Sequence, residues 1–200
     1  MAVSGDYKKN IQDTVKYTGD TFLIVDTLVE YVKGDKKGSF TMERAIRSPG
    51  TRIILEKDGK LLLGKEFRAE VDGWDYRLLG GKVFNSLSAY LEHRENEDSM
   101  REKTLEAITH EAEEEAGVIV KKAKLLERSL TSTPTLVWDL YYFEITEFEF
   151  AKGGQNLEDW ELIDLGWYDF EEVKKMCLDG RIQEDRTVAV LLKYLLSRKV

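Results

Sequence analysis

The chain has 200 residues and a mass of 23.1 kDa, with 42% hydrophobic, 34% charged and 10% aromatic residues and only two prolines. This length suits one sizeable core, and the composition excludes intrinsic disorder and fibrous repeats. No apolar run approaches the roughly 20 residues that span a bilayer, and the N-terminus MAVSGDYKKNIQD lacks the apolar segment of a signal peptide. We therefore expect one soluble, cytoplasmic domain with no membrane partner.

The charge balance is acidic, with 38 Asp and Glu against 30 Lys and Arg and a formal net charge of −8. This charge opposes nonspecific binding to a nucleic acid backbone, so we expect no nucleic acid partner. A phosphate-bearing ligand would need local arginines or bound cations. Cys177 is the only cysteine of the sequence, which agrees with a reducing compartment and predicts a packing role.

The first half of the chain has the composition of β-strands. The five segments rich in β-branched and aromatic residues are 21–32, 39–46, 51–56, 60–67 and 74–79. The turn GDKKG at 34–38 and the pair Asp58-Gly59 predict that the first four segments form two hairpins. The fifth segment ends at Gly80-Gly81.

The second half combines strands and helices. The polar segment 85–99 is interpreted as an insertion that is helical in part, and a helix is predicted over 100–116, ending at Gly117. Its expected apolar face consists of Leu105, Ile108, Ala112 and Ala116. Further strands are predicted at 124–130, 136–150 and 162–168, helices at 170–178 and 185–198, and a turn at TSTPT, 131–135. The order of elements predicts an α+β domain with layered helices and sheet.

Three carboxylates converge on one side of the predicted helix, because Glu111, Glu114 and Glu115 are spaced i, i+3 and i+4. Their mutual repulsion disfavours an isolated helix unless a divalent cation lies among them. The alternative interpretation is a solvated acidic helix face.

The surrounding segment resembles the Nudix box, GX5EX7REUXEEXGU, in which U is a bulky aliphatic residue. Glu102 is followed by seven residues and then by HEAEEEAGV, so the second half of the motif matches. His110 stands where the box has arginine, and Ala112 occupies the aliphatic position. The first box glycine corresponds to Gly81, which leaves about fifteen additional residues before Glu102. An insertion of this size at about 82–99 costs little closure entropy.

Within the Nudix superfamily the chain is most similar to ADP-ribose pyrophosphatases and related nucleoside diphosphate sugar hydrolases, through MERAIRSPGTRIIL, GKLLLGKEFR and WDYRLLGGK. The resemblance implies a Nudix-type α/β/α sandwich with a mixed β-sheet and an N-terminal β-hairpin extension. Residues 1–47 would then serve dimerisation and substrate contacts, and residues 48–200 would form the hydrolase domain. A homodimer is expected by the same analogy.

The resemblance also implies a set of metal ligands and catalytic groups. The Gly80 backbone carbonyl, Glu111 and Glu115 would bind Mg²⁺ or Mn²⁺, with Glu114 sharing the metals or orienting water. A further acid from NLEDWEL would complete the site or act as general base. We favour Glu161 over Glu158 for that role, and Asp159 is the third acid of this segment.

Arginines are expected to contact the phosphates and the terminal ribose of the substrate. Arg68 matches a substrate-contacting position of the similar enzymes, and Arg44 and Arg47 are further candidates on the preceding strand, although surface salt bridges are the alternative for each. Trp74 and Tyr76 would either form an aromatic wall of the site or pack in the core or a subunit interface.

The expected activity is hydrolysis of the pyrophosphate bond of ADP-ribose or a related nucleoside diphosphate sugar, which yields a nucleoside monophosphate and a sugar phosphate. Carboxylates at helical spacing suit this chemistry because the anionic pyrophosphate needs cations before water can attack it. Three alternatives stay open: hydrolysis of a dinucleotide polyphosphate or a damaged nucleoside triphosphate, a noncatalytic nucleotide-binding Nudix module, and a protein-interaction scaffold.

Overall fold

The structure, a computed structural model, describes residues 6–130 and 133–198. Within these ranges the chain forms ten strands and four helices. In chain order the elements are β1 (Tyr7–Thr18), β2 (Phe22–Lys33), β3 (Lys36–Arg47), β4 (Gly50–Lys57), β5 (Lys60–Arg68), β6 (Gly73–Arg77), α1 (Leu87–His93), α2 (Glu97–Ala116), β7 (Val118–Ser129), β8 (Leu136–Val137), β9 (Leu140–Phe150), β10 (Ile163–Asp169), α3 (Phe170–Leu178) and α4 (Asp185–Ser197). No helix among the described residues is long and apolar enough to cross a membrane.

The N-terminal strands form their own sheet in the order β1-β2-β3-β8, with β8 parallel to β3 and the other pairs antiparallel. The predicted β2–β3 hairpin is present, but β1 was not predicted. Every residue of β1, YKKNIQDTVKYT, is exposed. A strand that buries neither face carries no apolar alternation, so the pattern on which strand prediction relies is missing here.

The larger sheet has the order β10-β5-β4-β9-β7, with β6 paired to β5. The β4–β9 pair is parallel and its neighbours are antiparallel, so the sheet is mixed as predicted. Asp58 and Gly59 both have positive φ angles, 52° and 74°, as a two-residue type I′ hairpin turn requires. This turn confirms the predicted β4–β5 hairpin.

Helices cover both faces of the larger sheet, which confirms the predicted α/β/α sandwich. Along β4, Ile53 and Leu55 pack with α2, whereas Ile54 packs with α3 and α4 on the opposite face. This alternation follows from the two-residue period of a strand. Cys177 is buried in the α3–α4 layer, in the predicted packing role.

Helix α2 carries most of the acidic residues that the sequence singled out. It begins at Glu97, earlier than predicted, and ends at Gly117, whose left-handed φ of 62° closes the helix. Leu105 does not belong to its buried face and is 44% exposed. The buried stripe instead runs through Thr104, and residues one position apart are separated by 100° around a helix. The residues buried along α2 are Met100, Thr104, Ile108, Ala112, Glu115 and Ala116.

Two further elements differ from the sequence prediction. Strand β7 begins directly after Gly117, and the predicted strand 136–150 is divided into β8 and β9 by Trp138 and Asp139. The insertion is helical in part, as predicted, because it contains α1 and the first residues of α2. Thr131 and Ser132 of the predicted TSTPT turn lie outside the described residues.

Candidate active site

A cleft of about 770 Å³ opens where the segment after β6, helix α2 and the loop before β10 meet. It is polar, and it gathers residues that are far apart in the sequence. The predicted site residues that line it are Arg47, Arg68, Gly80, Glu111, Glu114, Glu115, Glu158 and Glu161.

The carboxylates of α2 contact the Gly80-Gly81 backbone directly. Glu115 is only 8% exposed, and its carboxylate accepts a 2.7 Å hydrogen bond from the Gly80 N–H. The Glu111 carboxylate lies against Gly81, where a Cβ atom would overlap it. Gly80 has φ = 133°, and a Cβ there would overlap the backbone of Thr51. Gly80 is therefore required by its backbone conformation and by the neighbouring Thr51 backbone, and a side chain at Gly81 would displace the Glu111 carboxylate.

Desolvation and repulsion between like charges raise the pKa values of Glu111 and Glu115. Desolvation raises the pKa of Glu111 to about 7, with further repulsion from Glu114 and Glu161. Desolvation, followed by repulsion from Glu111, raises the pKa of Glu115 to about 8. Both carboxylates are therefore costly to ionise without a counter-charge.

The donor set at this point fits a hard divalent cation, because carboxylate and carbonyl oxygens are the ligands that such cations prefer. A cation would also offset the repulsion between Glu111 and Glu115. Among the described residues, no three side chains of His, Cys, Asp or Glu are arranged as a complete metal cluster. The Gly80 carbonyl and water would have to supply further ligands.

His110 lies on the exposed side of the same helix. Its side chain is 75% exposed, and its Nε2 atom is 3.3 Å from the Glu114 carboxylate one turn away. The residue at the box arginine position therefore contacts one of the neighbouring glutamates, and Glu114 faces the cleft.

The loop before β10 brings two acids to the opposite side of the cleft. The Glu161 carboxylate accepts a 3.1 Å hydrogen bond from the Glu158 N–H, and burial raises the pKa of Glu161. Asp159 does not line the cleft. The Gln155 side chain donates to the Glu115 carbonyl at 2.8 Å, so this loop is bonded to the end of α2.

The three candidate arginines separate in the structure. Arg68 and Arg47 line the cleft, whereas Arg44 lines a different cavity of about 380 Å³. Arg44 therefore does not join the predicted site. Arg68 also forms salt bridges with Glu66 and Glu70. It therefore combines the two interpretations given for it, a cleft residue and a member of a salt bridge.

The two aromatic candidates pack elsewhere and do not line the cleft. Trp74 stacks edge-on against Phe67, and Tyr76 does so against Tyr168. Tyr76 packs against the core, as the second interpretation stated, whereas Trp74 is 45% exposed and belongs neither to the cleft nor to the core. The aromatic side chains that do line the cleft are Trp138 and Trp160.

Comparison with known proteins agrees with this geometry. The NUDIX domain family model matches residues 47–190, which is more than half of the chain. The chain belongs to the Nudix family. It is a Nudix pyrophosphohydrolase, and enzymes of this family generally need a divalent metal cation. Among curated proteins, none matches the chain.

The crystal structure of a protein named ADP compounds hydrolase has the same fold. Its TM-score to this Nudix protein is 0.68 at 15% sequence identity, and the match covers 98% of this chain and 95% of the other. At this identity the likeness establishes the fold. The structural match also covers the strands before residue 47, where the family model does not match.

Sequence reasoning missed several residues of the Nudix cleft, notably Arg52, Glu66 and Trp138. Arg52 lies within TRIIL, and a charged residue inside an apolar strand was a usable signal. Glu66 pairs with both Arg68 and Arg77 on one wall of the cleft. Trp138 lies between the ends of two strands, and no sequence pattern distinguishes it from a core residue.

Replacing Gly81 by Ala should disrupt the carboxylate pair while leaving the fold intact. The added Cβ would displace the Glu111 carboxylate, so we expect Mn²⁺ affinity to fall roughly 10-fold or more. The measurement is an electron paramagnetic resonance titration of free Mn²⁺, with thermal unfolding in parallel. Gly153→Ala is the control, because a Cβ there meets no atom within 4 Å. Equal Mn²⁺ affinity in both variants would contradict this account of Gly81.

The metal-free protein should lose stability as the pH rises from about 4.5 to about 8. The folded state retains protons on Glu111 and Glu115 over this range, since their pKa values are raised to about 7 and about 8, and the unfolded chain releases them. The unfolding free energy therefore decreases with pH. Thermal unfolding in chelator across this range measures the slope. The double variant Glu111→Gln, Glu115→Gln should have a flatter profile, and an unchanged slope would contradict the prediction.

Proposed function

We propose that this enzyme hydrolyses the pyrophosphate bond of ADP-ribose or a related nucleoside diphosphate sugar, using Mg²⁺ or Mn²⁺. The products would be a nucleoside monophosphate and a sugar phosphate. The observation that carries this proposal is the pair of carboxylates, buried Glu115 and half-buried Glu111, against the Gly80-Gly81 backbone within one polar cleft. The similarity to a solved ADP compounds hydrolase supports the substrate class.

The residues that would hold the cation are Glu111, Glu115 and the Gly80 carbonyl, with Glu114 facing the same cleft. When bound, divalent cations neutralise pyrophosphate oxygens and lower the pKa of the attacking water. The role of this chain is to present oxygen ligands from a rigid helix and from a glycine backbone that a side chain would block.

Glu161 is the proposed general base. It lines the cleft opposite α2, and burial raises its pKa, which increases its capacity to accept a proton from water. Its carboxylate is held by the Glu158 N–H. Glu158 lines the same cleft and is the alternative base.

Arg68 and Arg47 are the proposed substrate contacts, because both line the cleft. Glu66 and Glu70 orient the Arg68 guanidinium. The Arg47 guanidinium lies 4.5 Å from the centroid of a Trp138 ring. Burial, together with repulsion from Arg186 and Arg52, lowers the pKa of Arg47, so an anionic ligand group beside it would be favourable.

The decisive experiment is product analysis on a panel of ADP-ribose, other nucleotide sugars, dinucleotide polyphosphates and damaged nucleoside triphosphates with Mg²⁺ or Mn²⁺. We expect turnover of ADP-ribose or another nucleotide sugar to a nucleoside monophosphate. Glu115→Gln should lower kcat by roughly 100-fold, because it removes a carboxylate ligand. Glu113→Gln makes the same chemical change on the same helix outside this cleft and should leave kcat unchanged.

Two outcomes would contradict the proposed substrate. Turnover confined to dinucleotide polyphosphates or damaged nucleoside triphosphates would assign a different nucleotide class. Binding of nucleotide sugars with a rise in Tm, but without turnover under either metal, would favour the noncatalytic nucleotide-binding alternative.

We also propose that residues 1–47 form a dimerisation unit next to a hydrolase domain of residues 48–200. The exposed strand β1 supports this, because Tyr7, Val15 and Tyr17 are 51%, 57% and 63% exposed, and a long exposed edge strand is a template for association. Light scattering of the full chain should give twice the 23.1 kDa chain mass. Val15→Asp should shift it to monomer, and a monomeric unmodified chain would exclude the dimer.

A further inference from the structure

Arg52 is a buried cation at the floor of the cleft that the metal-binding scheme above does not use. It lies on β4 and is 8% exposed. Its Nε and Nη2 atoms both donate to the Glu184 carboxylate, each at 3.0 Å, in a two-pronged ion pair. This geometry fixes the plane of the guanidinium more firmly than a single contact would.

Glu184 is itself held in place from two directions. It precedes α4, and its carboxylate accepts a 2.5 Å hydrogen bond from the Thr187 hydroxyl in the first turn of that helix. The Thr187 hydroxyl lies 3.2 Å from the hydroxyl of Tyr142, which is buried on β9. The position of the Arg52 guanidinium is therefore set by both α4 and the central sheet.

The remaining nitrogen of Arg52 points to the glycine segment of the site. Nη1 donates to the Thr51 carbonyl at 2.8 Å and lies 3.5 Å from the Gly80 carbonyl oxygen. The neighbouring residues Leu79 and Gly81 pair with β4 through their carbonyls, each at 2.9 Å. The Gly80 carbonyl, by contrast, meets the Arg52 side chain.

The Gly80-Gly81 peptide needs such support because two glycines give a peptide unit wide rotational freedom. The preceding peptide is fixed by the Gly80 N–H, which donates to Glu115 at 2.7 Å. In the Gly80-Gly81 peptide itself, Arg52 is within reach of the Gly80 carbonyl. The two contacts therefore restrain the peptide units on either side of the Gly80 Cα atom.

We propose that Arg52, held by Glu184, is a positioning residue that orients the Gly80 carbonyl toward the divalent cation of the cleft. This inference rests on the metal site of the proposed function. A buried ion pair is costly to desolvate, and an apolar pair of similar volume often gives equal stability. Placement of the pair against the Gly80 carbonyl, which is a proposed metal ligand, gives it a role that an apolar pair would not fill.

The test must separate positioning from simple electrostatics. Removing Arg52 alone would leave Glu184 buried and unpaired, which destabilises the fold and adds negative charge near the site. The double variant Arg52→Met, Glu184→Met avoids both effects, because it removes one positive and one negative charge and retains side-chain volume. Its net charge equals that of the unmodified protein.

The readout is Mn²⁺ affinity of the substrate-free protein, measured by electron paramagnetic resonance alongside thermal unfolding. We expect the double variant to fold and to bind Mn²⁺ roughly 10-fold or more weakly, as is typical when a residue that supports a metal ligand is lost. The control is Lys193→Met, Glu127→Met, which removes an ion pair between the same helix α4 and β7 outside the cleft. It should leave Mn²⁺ affinity unchanged.

A folded double variant with unchanged Mn²⁺ affinity would overturn the proposal. If the double variant does not fold, Arg52→Lys decides the question, because lysine retains the charge but cannot bond Glu184 and both carbonyls in one plane. A lower Mn²⁺ affinity in folded Arg52→Lys supports positioning, and an unchanged affinity overturns it. Because no substrate is involved, failure here is distinguishable from failure of the proposed substrate class. Absence of Mn²⁺ binding in the unmodified protein would instead remove the metal site on which both depend.

Discussion

The interaction on which the site depends is the contact between two carboxylates of α2 and the backbone of Gly80 and Gly81. Glu115 accepts the Gly80 N–H, and Glu111 occupies the space that a side chain at Gly81 would need. Glu115 is therefore withdrawn from water and Glu111 partly so, and desolvation raises the pKa values of both. The fold thus holds two carboxylates close together although they repel each other when ionised. A bound divalent cation would offset this repulsion.

The rest of the architecture keeps this contact rigid. Ile108 and Ala112 bury the apolar stripe of α2 against the sheet, and the glutamates beside this stripe line the cleft. Gly117 ends the helix, and the Gln155 side chain binds the Glu115 carbonyl. The loop that carries Glu158 and Glu161 is consequently attached to the helix that carries the other carboxylates.

Arg52 of strand β4 adds a guanidinium to the lining of the cleft. The Nudix box has an arginine where this chain has His110, and His110 is exposed and contacts Glu114. Arg52 reaches the same site from β4, on the side of the Gly80 carbonyl. The guanidinium beside this cleft segment thus comes from the sheet and not from α2, and its position depends on Glu184 at the start of α4.

The sequence by itself determined the layered α+β fold, the Asp58-Gly59 hairpin, the end of α2 at Gly117 and the shared face of Glu111, Glu114 and Glu115. These features depend on local periodicity and on glycine conformations, which short stretches of sequence encode. Only the tertiary structure decided that Arg47 lines the cleft and Arg44 does not, and that Leu105 is exposed while Glu115 is buried. It also paired Arg52 with Glu184, 132 positions away, because such contacts depend on how strands and helices pack, and a sequence pattern does not record that packing.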